Sequence, residues 1–131
     1  MSQQEIEVIL SRQLFSYLMI PIFLVDPEGS LLFYNEPAET ILGRRYEETG
    51  RMAKEEWSTV FQFADEDGNL LEPDQVPLTI ALRERRPVHR RLTLHGLDGN
   101  ESEIEAMCFP LVGQADRFLG AVAMFWKSEA Q

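Results

Sequence analysis

The chain has 131 residues, enough for one domain that buries about two-thirds of the surface its unfolded form exposes. Hydrophobic residues make up 44% and charged residues 26%, a globular balance that excludes wholesale disorder. Twelve Lys and Arg against 22 Asp and Glu leave a formal net charge of -10, a field that repels phosphate backbones and anionic lipid, so neither nucleic acid nor membrane is an expected partner.

The opening residues, MSQQEIEV, carry no positive charge, whereas a secretory leader needs a basic start. The longest uninterrupted apolar run, LMIPIFLV, contains a proline and is far shorter than the roughly 20 residues a membrane helix requires. A single cysteine, Cys108, excludes an internal disulfide. A cytoplasmic location is the expectation.

Residues 3–19 read as a helix: Ile6, Ile9, Leu10, Leu14, Tyr17 and Leu18 recur at three- and four-residue steps and fall on one face. Gln3, Gln4, Glu7, Ser11 and Arg12 take the other face, and Pro21 ends the helix. The stripe either covers the chain's own core or packs on a second subunit, which makes those six residues the candidate dimer interface.

Strands are expected at 22–26 and 31–35, joined by DPEG. Asp26, Pro27 and Gly29 stand at the positions a type I turn prefers. Asn35 is placed to cap a helix at Glu36 through the amide of Ala38, since Pro37 has no N–H, and Gly43 closes that helix. Residues 44–60 read as one or two short helices broken at Gly50, and 61–72 as an irregular segment or short hairpin. Helix resumes at Pro77 and runs toward Pro87. Strands follow near 88–95, 101–112 and 117–126, the last of them, FLGAVAMFW, apolar on both faces and so covered on both. The order predicts an α+β domain with a five-stranded antiparallel sheet.

Three stretches carry a resemblance. PIFLVDPEGSLLFYNEPAETILG resembles the opening of a PAS domain: two strands, a D-x-x-G turn, then Asn and a short helix ending in Gly. DGNLLEPDQVPLTIALRERRPV resembles the lead into that family's long helix, and LDGNESEIEAMCFPLVGQADRFLGAVAMFW its closing strand pair. The resemblance, to bacterial-type sensory PAS domains, covers residues 20–127; residues 1–19 become a flanking dimerisation helix and 128–131 a tail. It implies short helices over one face of the sheet, a pocket between sheet and helices that senses or binds a small molecule, and signalling through a homodimer or a partner protein.

The acidic turns offer little chemistry. Asp65, Asp67 and Asn69 alternate like an EF-hand loop, but Gly68 stands fourth where that loop needs glycine sixth, and Val76 stands where it needs glutamate. Asp26 and Asp98 read as turn formers. His89 and His95 share one strand face and lack a clear fourth zinc ligand even with Cys108. No G-x-S-x-G, H-E-x-x-H or glycine-rich phosphate loop is present, so no catalysis is expected. Haem-binding PAS domains carry a histidine on the long helix, absent from PLTIALRERR. Light-sensing ones carry a cysteine after a short helix, whereas Cys108 lies in a strand.

A non-covalent apolar ligand remains the one cofactor expectation. From the helical side Trp57, Val60, Phe61, Leu78, Ala81 and Leu82 are candidate walls; from the strands Leu24, Phe33, Leu92, Leu94, Ile104, Cys108 and Met124. The same residues serve equally as a solid core, the mark of a ligand-free protein–protein adaptor. Finally, Arg85, Arg86, Arg90 and Arg91 lie in RERRPVHRR. They either complement the end of a helix or form a patch for an acidic partner or anionic headgroup.

Overall fold

The Asp26 carboxylate makes the first turn: its Oδ1 accepts from the amides of Glu28 and Ser30, each at 2.9 Å, and its carbonyl from Gly29. The same device recurs at Asp65, which accepts from Asp67 and Asn69, and at Asp98, which accepts from Asn100. Three Asx turns thus reverse the chain and consume their own carboxylates. The structure is a computed structural model and describes residues 3–128. The last three residues of the expected tail 128–131, and the first two of segment 1–19, lie outside the described residues.

The elements run α1 (Gln3–Ser16), β1 (Ile22–Val25), β2 (Leu31–Tyr34), α2 (Glu36–Leu42), α3 (Tyr46–Thr49), α4 (Lys54–Val60), β3 (Gln62–Ala64), α5 (Pro77–Glu84), β4 (Val88–His95), β5 (Glu101–Val112) and β6 (Phe118–Lys127). All the strands pair antiparallel in one sheet of order β2-β1-β6-β5-β4-β3. Among the described residues the sheet has six strands where the sequence suggests five. Gln62–Ala64 pairs with His95, Leu94 and Thr93 at the edge, and three residues are too few to show a strand's alternation.

Residues 44–60 form two helices parted at Gly50. The leading helix stops at Ser16, three residues before the expected end, and α5 stops at Glu84 with Arg85 in the left-handed region, φ 54. Gly43 closes α2 as its position predicts. Where β6 crosses β1, Gly120 leaves space that a Cβ would take from the Val25 carbonyl.

Alternation splits the sheet into two faces. Phe23 and Val25 of β1, Ile104, Ala106 and Cys108 of β5, and Ala121, Ala123 and Phe125 of β6 point to the inner face. There α2, α4 and α5 add Leu42, Trp57, Leu78 and Ala81. Ile22, Leu24 and Val122 point outward and are covered by Phe15 of α1, with Phe33, Phe109, Leu111 and Met124 packed around them. The two-sided burial expected for β6 therefore arises from α1 on one side and the helical layer on the other.

Candidate functional site

Between the helical layer and the inner sheet face lies a cavity of about 40 Å³. Phe23, Leu92, Ile104, Ala106, Cys108, Ala123 and Phe125 form its sheet wall. Leu42, Trp57, Val76, Pro77 and Leu78 form the opposite wall, and Phe63 of β3 joins the sheet side from its edge. By this measure a water-sized group needs roughly 10–15 Å³, so the void accommodates a few heavy atoms. Sites for drug-sized ligands run to about 300–1,000 Å³.

The walls are carbon. Trp57 spends its indole N–H on the Gly29 carbonyl at 2.7 Å, which fixes the ring edge-on to Phe23 with centroids 5.1 Å apart and turns its carbon face to the void. Cys108 supplies a thiol, and burial pushes its pKa up to about 12, so it stays protonated and unreactive. Among the described residues, no histidine and no charged side chain lines the cavity.

No protein-family model and no curated protein matches the chain. Solved structures do. The PAS domain of a protein from Colwellia psychrerythraea is 18% identical, with a TM-score of 0.63 over 93% of this chain and 97% of that one. The PAS domain of nitrogen regulation protein NR(II) from Vibrio parahaemolyticus is 16% identical, with a TM-score of 0.63 over 91% of this chain and 98% of that one. The Rhodobacter sphaeroides LOV protein is 17% identical, with a TM-score of 0.71 over 98% of this chain and 69% of that one. The chain has the PAS fold.

Within this PAS fold, five residues nominated from sequence line the cavity: Trp57, Leu78, Leu92, Ile104 and Cys108. Phe61, Ala81 and Leu94 are buried in the same core without reaching the void, and Val60 and Leu82 pack half-buried at its margin. Leu24, Phe33 and Met124 are corrected: they lie on the outer face beneath α1. The register explains the error, because Leu24 pairs with Phe33 and Val122, whereas its neighbour Phe23 pairs with Ala123 inside. A strand buried on both faces gives no alternation to choose between them. Phe23, Leu42, Phe63, Val76, Pro77, Ala106, Ala123 and Phe125 went unforeseen. Ala106 was within reach, sitting midway between Ile104 and Cys108 at the strand period.

The α1 stripe stands clear of the domain. Ile6, Ile9, Leu10, Leu14 and Tyr17 are 38%, 42%, 57%, 59% and 83% exposed, and Met19 and Ile20 extend the patch. Leu18 is the exception and turns inward onto the outer-face cluster. The side of α1 that meets the domain carries Glu7, Ser11, Arg12 and Phe15. Phe15 is buried, and the Arg12 guanidinium lies 4.9 Å from the Phe33 ring centroid.

The arginines do not form one patch. Arg85 stacks on Phe118 at 4.2 Å and Arg86 pairs with Glu84 at 2.6 Å. Arg90 and Arg91 instead line an open groove with Asp65, Glu66 and Asp67. His89 and His95 face Glu105 and Glu101 on the outer side, away from Cys108. Among the described residues, no group of three or more His, Cys, Asp or Glu is placed to hold a metal ion, and no helix is long and apolar enough to cross a membrane.

Proposed function

We propose that this PAS-fold domain is a sensory signalling module without catalysis of its own, which takes a small apolar molecule into its core and signals through a homodimer or partner protein. The observation that carries the reading is the carbon-walled cavity contributed by both layers. A cavity of this chemistry selects against charge and against hydrogen-bonding groups, since either would be stripped of water without a partner. The occurrence of the same fold in a nitrogen regulation protein supports a sensory role.

The exposed stripe on α1 supports the dimer. A 14-residue helix is marginal alone in water, and one that leaves Leu10 and Leu14 exposed gains by pairing them with a second copy. The groove beside Arg90 and Arg91, with carboxylates across it, suits a partner of mixed charge better than a simple anion. A cytoplasmic setting fits these features and the net charge of -10.

A second reading, a ligand-free adaptor, is favoured by the small size of the cavity. Native mass spectrometry of the purified protein separates the two. A bound apolar molecule, lost on replacing Ala106 with Leu, supports sensing. An apo mass in every preparation supports the adaptor.

A further inference from the structure

The exposed stripe on α1 has a polar counterpart on the helix's inner side. Glu7 reaches the β5–β6 hairpin, where its carboxylate pairs with the Arg117 guanidinium and accepts from the Gln114 amide at 3.2 Å. The Glu7 side chain is only 14% exposed, so its carboxylate is largely withdrawn from solvent, while Arg117 keeps 37% of its side chain exposed. Gly113 makes room for it, because a Cβ at that position would overlap Glu7 Oε2.

The hairpin is itself strained. Ala115 and Asp116 both sit at φ 57, consecutive left-handed residues of the kind a two-residue hairpin turn demands and for which Asn-Gly is the ordinary choice. Alanine there is held against its own preference, and such a conformation persists only where surrounding contacts over-determine it. Glu7 supplies two of those contacts, one to each side of the strained pair. The strands leaving this turn are the ones whose Ala106, Cys108, Ala123 and Phe125 line the cavity.

We propose that Glu7, seated over Gly113 and bonded to Gln114 and Arg117, latches α1 to the hairpin, so that the pose of α1 and the conformation of the turn change together. The latch fixes how the stripe is displayed and gives the two cavity-lining strands a direct mechanical connection to it. This inference rests on the reading of α1 as an interaction helix, but it does not require the helix to be paired.

Hydrogen exchange read by mass spectrometry tests it on the full chain. In Glu7→Gln, amides of both α1 and residues 112–118 should exchange about tenfold faster, the loss expected when a charge-assisted bond becomes a neutral one. Those of β1 and β4 should hold their wild-type rates. Gly113→Ala, which evicts the carboxylate from the other side, should give the same paired response. Acceleration confined to α1, with the turn unchanged in both variants, overturns the coupling; wild-type rates in both segments overturn the latch itself. Light scattering on the same samples reads dimerisation separately, so a monomeric wild type that still shows the paired response removes the homodimer and leaves the latch standing.

Discussion

Asn35 donates through Nδ2 to the carbonyl of Phe15, 3.1 Å away and 20 residues earlier in the chain. The same amide nitrogen donates to the Ile20 carbonyl at 2.9 Å, while Oδ1 accepts from the amides of Ile22 and Ala38. One buried side chain therefore ties the end of α1 to the start of β1 and caps α2. Asn35→Ala should cost about 2–4 kcal/mol, because it orphans several buried backbone groups at once. Asn35→Asp keeps both acceptor bonds and loses the donors. Chemical denaturation should place it well below wild type, and equal stability would show that the bonds to α1 contribute nothing.

The stripe gives a sharper test of assembly than truncation does. Leu10→Glu with Leu14→Glu places two charges on side chains that are 57% and 59% exposed, so the fold should tolerate them with a change under about 0.5 kcal/mol. Light scattering should register a shift from dimer to monomer with an unchanged circular dichroism spectrum. An unchanged mass would remove α1 from the interface.

Cys108 links the cavity to alkaline stability. Its thiol is pushed from an ordinary 9.0 up to about 12 by burial, so the neutral form is favoured in the folded state. The stabilisation is complete below pH 9. Above that the unfolded chain begins to ionise while the folded one does not, and stability falls until the folded thiol itself titrates near 12. The slope should approach about 1.4 kcal/mol per pH unit. Tyr34, whose pKa burial also raises, adds a slope of the same sign, so Cys108→Ala should reduce the alkaline slope rather than abolish it. Identical slopes for the two proteins would contradict the burial.

Filling the void should stabilise the domain. Ala106→Val adds two methyl groups to the cavity wall, on the residue paired with Phe125, and should raise stability by up to about 1 kcal/mol. Leu78→Ala enlarges the void and should cost about 2–5 kcal/mol. Thermal denaturation of the pair reads both effects, and a destabilising Ala106→Val would show that the walls have no slack.

Much of the architecture was legible because local chemistry announced it. Asp-Pro-Glu-Gly, the Asn35 cap and the glycine after α2 are read by rules that act within a few residues, and the structure realises each. The outer-face placement of Leu24, Phe33 and Met124 was not legible, since it follows from α1 covering one side of a strand that helices cover on the other. The α1 contacts were illegible for a related reason. Periodicity marked Ile6 to Leu18 as a stripe, of which Leu18 turns inward, but the docking side of the helix is chosen by Glu7, Arg12 and Phe15, whose partners lie up to 110 residues away. Cavity size, finally, is a difference between packed volumes and leaves no mark on the pattern of residue types.

Methyl-resolved NMR of the full chain under xenon, a probe that matches a void of about 40 Å³, tests the central claim most directly. The account predicts saturable shifts centred on Leu42, Leu78, Leu92, Ile104, Ala106 and Ala123, absent in Ala106→Leu, with smaller shifts propagating to α1. Absence of any saturable response at those methyls, in a protein whose native mass is that of the bare chain, would contradict it and leave the adaptor reading in its place.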